Sequence, residues 1–555
     1  MIWDRRLDHY PDTRPRMIQL ALVVVATIIL YYQAYVGGAV SPAIIAHFGM
    51  SFPFYVYMTV VANALGAFAS LLAGLADRWG RANLVAYGLG VTGVLVTFVV
   101  PHMPDKWWFA AASTLVGFVE GVVLVATPAL VRDFSPQLGR ASAMGFWTLG
   151  PVIGSLVVAA VSSSTLAVLP DWRAQFYICG VVGLVVFVIA LFGLRELSPR
   201  LRDQLMVSLK DRELLEVRAA GVDPEAAIRR PFRQMMKADV IGSAFAVAIF
   251  LVVYYTIIGF LTIYLTTIHG FSLADANGVG NWFWAFDAVA LVLIGIASDR
   301  LRVRKPFMVV GAVGAIVMTI VFLEAGPGTT YTQFAVILSL LAISLGVAYA
   351  PWMASFTETV ERHNPALTAT GLAVWGWIVR IVVAVSIFLL PFVVTSMTPL
   401  VQYGGGVGEL SAKYAAELRT IGAVEPGTLA EITADPGDGA AAADAVGQIS
   451  AALGVSAAEA IAQLRAVGAV PPADLSFLTE HGPEVQAAAA RSADEWKAWW
   501  WVSVVCEALF IPFVFLMAGR WSPRRARQDA EEHERRVRAE LEALRAGRPE
   551  QPRQG

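Results

Sequence analysis

Apolar residues fall in twelve long blocks along this chain, at 18–40, 52–75, 83–101, 107–131, 141–165, 174–194, 240–268, 277–298, 306–324, 331–357, 367–396 and 497–519. Each block is long enough for a helix to cross a hydrocarbon core of about 30 Å. Backbone amides have no water partners in lipid, so each block is predicted to be a helix that closes its own hydrogen bonds. Residues 1–194 then form a first bundle of six spans, and 240–397 hold spans seven to eleven. Three segments are not spans: a charged linker at 195–239, an insert rich in Ala and acid at 398–496, and a tail of mixed Arg and Glu at 520–555. Inside the insert, LRTIGAVEPGTL at 418–429 returns as LRAVGAVPPADL at 464–475. The echo predicts two small helical units with matching turns, serving either as a duplicated packing motif or as a cap that captures a substrate or partner.

Composition supports this reading and narrows the class. The chain is 57% hydrophobic and 15% charged, against about a quarter charged in soluble domains. A net charge of −2 gives no sign of nucleic acid. The two cysteines, Cys179 and Cys506, lie inside apolar blocks, which excludes a disulfide framework and metal-ligand spacing. No GxSxG, HExxH, P-loop or CxxC arrangement is present, so an enzyme is not expected. Arg5, Arg6, Arg14 and Arg16 precede the first block, and no small-residue cleavage site follows it, so it reads as a span rather than a cleaved signal. With the N-terminus inside, 33 of the 41 Lys and Arg fall in cytoplasmic segments, 7 in external ones, and Arg380 within a span. That bias predicts both termini in the cytoplasm of a cell whose inner membrane holds the protein.

The halves repeat each other. GLADRWGR at 74–81 follows span two, and GIASDRLRVRK at 295–305 follows span eight. LYYQAY at 30–35 and VYYTII at 253–258 occupy matching places in spans one and seven. The fold class predicted is therefore an all-α membrane protein, twelve transmembrane helices in two pseudo-symmetric six-helix bundles. Bundles related in this way can rock around a site between them.

On these residues the sequence resembles the major facilitator superfamily, over the spans but not the insert. The family's loop signature is a glycine, an acidic residue three or four positions later, then Arg and a basic cluster. Gly74, Asp77, Arg78, Gly80 and Arg81 match it in the first half, and Gly295, Asp299 and Arg300, with Arg304 and Lys305, in the second. Asp171-Trp172-Arg173 before span six is another family feature. The resemblance implies that Asp77 lies near the start of span eleven and Asp299 near the start of span five, where a carboxylate meets the positive end of a helix and holds the cytoplasmic side shut. GFWTLGPVIGS in span five, with Gly145, Gly150, Pro151 and Gly154, looks like the family's antiporter signature or provides close helix packing. In many relatives an Arg-x-x-Gln-Gly pattern leads span four; here Gly117 stands in the arginine place and Glu120 in the glutamine place.

Charges within spans cost about 2.5–3.5 kcal/mol each on insertion scales, so they mark candidate sites. Glu120 lies twelve positions before Arg132, Asp287 twelve before Asp299, and Arg380 thirteen beyond Leu367. At about 1.5 Å per residue all three stand roughly 18 Å above the cytoplasmic end, near the bilayer midplane. Asp287, flanked by Trp282 and Trp284, is placed to take up and release a proton or bind substrate, or to form a structural ion pair. Glu120 has the same alternatives. Arg380 stays charged and either clamps an anionic substrate or neutralises a carboxylate. Glu507 in span twelve reads as structural. Tyr31, Tyr32, Gln33, Tyr254, Tyr255, Asn281, Trp284, Trp352 and Trp377, with Trp375, are candidate cavity-lining residues. Trp499, Trp500 and Trp501 are expected in the interfacial belt, and His269 at the outer end of span seven can titrate.

The function expected is secondary active transport of a small organic solute by alternating access, with a slight preference for an anionic metabolite and the proton as coupling ion. The alternatives are drug or metabolite efflux by proton antiport and, from another class, a non-transporting receptor or scaffold that binds through the insert. No cofactor is expected. The partners expected are a small-molecule substrate and the lipid bilayer around a monomer.

Overall fold

A computed structural model describes residues 5–69, 80–123, 126–134, 139–198, 231–364, 368–435 and 437–525, with isolated residues at 201 and between 527 and 539. Gly74, Asp77, Arg78, most of the linker and most of the tail lie outside the described residues.

Helices occupy all twelve predicted positions. In the first half they are α1 (Thr13–Ala39), α2 (Phe52–Ala69), α3 (Arg81–Val94, prolonged by a π-helical turn at Leu95–Val99), α4 (Lys106–Val123), α5 (Gly139–Thr165) and α6 (Trp172–Gly193). In the second half they are α7 (Ala238–Phe250 and Val252–Ile268, broken at Leu251), α8 (Leu273–Leu301), α9 (Lys305–Leu323), α10 (Tyr331–His363), α11 (Thr368–Val393) and α12 (Pro472–Val514). Among the described residues, ten are long and apolar enough to span by themselves; α4, with Lys106 and Glu120, and α5, with an apolar stretch of Leu149–Thr165, are the less apolar two. The end at which Thr13 lies is called the near end below, and the end at Ala39 the far end.

Local chemistry explains where the helices begin. Asp171 accepts a hydrogen bond from the Arg173 amide at 3.0 Å and caps α6. Ser272 accepts one from the Asp275 amide at the start of α8, and Thr330 and Gln333 form a reciprocal capping box on α10. Ahead of α3, Gly80 has φ +90°, a conformation that L side chains rarely adopt. α10 runs six residues past the predicted boundary, because its polar end (Glu358, Glu361, Arg362) contains no helix breaker.

The spans form one compact unit, and residues Thr395–Ala493 form a second. In that second unit the duplicated stretches take the same shape. Each closes a helix (Ala415–Gly422, Ala457–Gly468), turns through a buried valine (Val424, Val470), and starts the next helix at a proline, Pro426 or Pro472. Ala445, Ile449, Ala460 and Val424 form its own apolar core. Gly439–Leu453 and Ala457–Gly468 are joined by a bend of 110° at the left-handed Gly454.

Two small strands were not foreseen. Arg6–Leu7 pairs in parallel with Glu196–Leu197, so the chain start is tied to the segment just after α6. Arg5 reinforces this join by donating to the Ala190 carbonyl at 3.1 Å, and Gln19 bonds both the Gly193 carbonyl and the Arg195 amide.

Candidate functional site

At the near end each half carries an arginine-centred node where a helix start meets a helix end. In the first half Arg81 donates to both carboxylate oxygens of Asp133 at 3.0 Å. Its backbone amide donates to Glu196 at 2.7 Å. A side chain at position 80 would collide with that Glu196 carboxylate, a second reason for glycine there. In the second half Arg304 meets Asp299 at 2.7 Å and Glu358 at 3.1 Å, and donates to Ser298. Asp299 pairs with Arg304 of its own loop and its side chain is 68% exposed; the side chains at the start of span five, where it was expected, lie outside the described residues. Gly295 has open space around it, and Arg300 is exposed. Neither Asp133, Glu196 nor Glu358 was singled out in the sequence, because an acid near a helix end looks like any solvated charge until its partner is placed beside it.

At mid-depth the halves meet through aromatic and charged groups. Tyr31 of α1 and Tyr255 of α7 lie within electrostatic reach of each other and of the Arg380 guanidinium. Arg380 is exposed on α11. Its charge is felt by a tyrosine of each half. Asp287 is buried within reach of Tyr254 and Tyr349, and Tyr254 packs edge-on against Trp284 at 5.3 Å. Glu120 is buried within reach of Tyr31, Tyr35 and Cys179. Tyr35 and Tyr349 were missed by the sequence reading. The signal was available: Tyr35 lies one helical turn beyond Tyr31, with ring centroids 5.6 Å apart.

Several expected lining residues stand elsewhere. Tyr32 and Gln33 turn away from the other half: the Gln33 amide sits directly over Gly183 of α6, and Tyr32 lies within reach of Cys179. Successive residues of a helix point about 100° apart, so Tyr31 alone of that trio can face the centre. Trp377 is exposed on α11, three residues before Arg380. The indole beside Trp352, at 5.8 Å, is that of Trp375. Trp499 and Trp500 are core rather than belt residues: Trp499 donates to Thr256 at 3.1 Å and Trp500 packs on Phe322, leaving Trp501 exposed. Glu507 is fully buried and bonded to Thr319 of α9 at 2.9 Å, away from the centre.

Glycines in spans two, four and five bring helices into close contact. A Cβ at Gly117 would lie 3.1 Å from the Ala62 carbonyl, and one at Gly121 would overlap the backbone of Gly66. α2 and α4 therefore touch backbone to backbone, and an arginine at 117 would pry them apart. Gly150 and Gly154 seat Tyr31 and the backbone of α1.

At the far end contacts join the halves. Asn277 donates to the Ala39 carbonyl and Asn281 to Ser163, each at 2.9 Å. Phe52 meets Phe260, and Tyr57 meets Phe388. Between them lies a cavity of about 40 Å³ touched by Tyr35, Ser155, Ile257 and Trp284. His269, just past α7, packs on Phe334 and is held neutral by burial, its pKa lowered to about 4.

Two six-helix halves that close against each other at one end and share buried charges at mid-depth define a membrane transport protein. A model of the Major Facilitator Superfamily matches residues 22–387, and the chain belongs to that family. Among curated proteins it is similar to probable anion transporter 3, chloroplastic, of Oryza sativa subsp. japonica, at 25% identity over 43% of this chain and 48% of that one. It is also similar to sialin of Ovis aries, at 24% over 43% and 50%, and to the phosphoglycerate transporter protein of Salmonella typhimurium, at 24% over 54% and 65%. The chain spans about half the length of the first two. Among solved structures, the bacterial homolog to the human lysosomal transporter Spinster, inward-facing and occupied, shares the fold with a TM-score of 0.58 at 17% identity, over 91% of this chain and 97% of that one. A D-xylose-proton symporter does so with 0.52 at 14%, over 68% and 90%.

Proposed function

We propose that this protein is a proton-coupled secondary transporter of a small organic anion, bound between the halves at Arg380. The observation that carries the reading is the reach of Arg380 to Tyr31 of one half and Tyr255 of the other, with Glu120 and Asp287 buried on either side. A fixed guanidinium supplies the charge that an anion needs on leaving water, and phenols supply neutral donors around it. The two carboxyl groups can carry the proton, one from each half. The relatives named for anions and for phosphoglycerate support the anionic class. We place both termini and the near end in the cytoplasm on the basis of the Lys and Arg distribution. Closure at the far end then corresponds to a site reached from the cytoplasm.

Reconstitution in proteoliposomes tests the proposal. An inward proton gradient is expected to drive accumulation of at least one organic acid from a panel that includes phosphoglycerate, and Arg380→Ala to abolish it. Accumulation driven only by outward proton flow would replace symport with antiport. Loss of all binding on deleting 400–495, with Asp287→Asn unaffected, would favour a receptor.

A further inference from the structure

The outer surface of the first half carries a groove that the transport reading does not use. It follows the seam of α1 and α6 near the near end and encloses about 320 Å³. Its lining is apolar, with Ile18, Ala21, Leu22 and Val25 on α1 and Ile189 and Ala190 on α6. Ile18, Val25 and Ile189 are exposed walls, and Ala190 is a buried floor. Small side chains make the depression, since Ala21 and Ala190 stand where bulkier residues flank them. Below it Gly193 draws the helices together, because a Cβ there would lie 3.1 Å from Leu22. The mouth of the groove is basic. Ile18, Ala21, Leu22 and Val25 share one helical face, and the exposed Arg14 lies one turn before Ile18 on the same stripe. Gln19 donates to the Gly193 carbonyl at 2.9 Å and accepts from the Arg195 amide at 2.8 Å, which fixes Arg195 at that mouth. The local acids do not cancel this charge. Before Ile18 the chain holds Arg5, Arg6, Arg14 and Arg16 against Asp8 and Asp12, and the Glu196 carboxylate is occupied by the Arg81 amide.

We propose that this groove binds one anionic phospholipid, with an acyl chain along Ala21 and Ala190 and the phosphate between Arg14 and Arg195. The volume suits a single chain: at about 30 Å³ for a group the size of water, 320 Å³ holds about ten methylenes. The length agrees, since Ile18 to Val25 covers about 10 Å of helix against about 15 Å for one leaflet's share of the hydrocarbon core. The chain alone gains little from the groove, because the lipid tails it leaves are as apolar as leucine. Selectivity therefore comes from the headgroup, where each arginine near the membrane surface attracts negative charge. A zwitterionic headgroup brings its own ammonium to the same arginines and loses that gain. The bound lipid bridges α1 and α6 where the Arg6–Leu7 strand and Gln19 already tie the chain start to the segment after α6. The inference does not depend on what the protein transports.

Photo-crosslinking tests the site in the full-length protein. The protein is reconstituted in phosphatidylcholine vesicles with a trace of phosphatidylglycerol or phosphatidylcholine that carries a photoreactive group on its acyl chain. Crosslinked peptides are then mapped by mass spectrometry. Phosphatidylglycerol is expected to label residues 18–25 and 186–190 about 25-fold more than phosphatidylcholine does, the factor that two arginines at a membrane surface supply. Arg14→Gln combined with Arg195→Gln should remove this preference. Arg14→Gln alone, at an exposed position, should lower it about fivefold and decides the matter if the double variant does not fold. Ala21→Phe fills the groove and should reduce labelling of 186–190 by both lipids. Equal labelling by the two headgroups in the wild type would mark ordinary surface lipid and overturn the proposal. A preference undiminished by Arg14→Gln would overturn the headgroup assignment, and labelling unchanged by Ala21→Phe would overturn the seat of the acyl chain.

Discussion

The two halves share a fold and differ in what they bury. In the second half Glu507 bonds Thr319 through one oxygen, Trp499 bonds Thr256, and the Arg380 charge reaches Tyr255, while the other Glu507 oxygen and the indoles of Trp352, Trp375 and Trp500 have no partner among the described residues. In the first half, the deep polar groups Tyr32 and Gln33 and one Glu120 oxygen stand without partners among the described residues. Pseudo-symmetry therefore extends to the scaffold and not to the chemistry. The second half holds the fixed positive charge, Arg380, and both halves keep unsatisfied polar groups in their interiors.

The sharpest way to break this division is to remove the charge. Arg380→Ala is expected to weaken anion binding by about 2–5 kcal/mol, as when one member of a desolvated charge pair is truncated, measured as lost thermal stabilisation by the bound acid. Equal weakening by Glu120→Gln would deny that the halves divide the work. The near-end nodes give the next effect. Arg81→Ala removes charged hydrogen bonds whose side chains are 21% and 10% exposed, and is expected to destabilise the protein by about 1.5–3 kcal/mol. Arg304→Ala, with Asp299 largely in solvent, should cost less in denaturant titration. The reverse order would place the stronger node in the other half. Glu507→Gln keeps an acceptor for Thr319 and is expected to change stability by no more than about 1 kcal/mol, with transport intact.

The smallest effect is one of pH. His269 is held neutral in the folded protein with a pKa of about 4, against a usual 6.5. The unfolded chain therefore binds a proton that the folded one refuses. Stability from this group is complete above pH 6.5 and is lost as pH falls toward 4. His269→Gln should flatten melting temperature across that window.

Much of this was legible in the sequence, for identifiable reasons. Lipid forces twelve apolar blocks into helices, and a mid-span charge announces itself by its cost, so Glu120, Asp287 and Arg380 stood out. The direction a side chain faces was less legible. Tyr31, Tyr32 and Gln33 are consecutive, and only packing against Gly154 and Gly183 decides which one looks inward. Trp375 and Trp377 differ by two positions, and only Trp375 is buried. Asp133, Glu196 and Glu358 were hidden because their meaning lies in partners more than 50 residues distant.

The seam between α2 and α4 sets a limit on how such a molecule can move. Where Gly66, Gly117 and Gly121 press main chain on main chain, there are no long side chains to re-pack, so the two helices cannot slide past each other by small rotamer changes. They must travel as a single lever. Spin labels on α2 and α4 should keep a constant separation through the transport cycle, while a label on either one and another on α11 should swing apart and together.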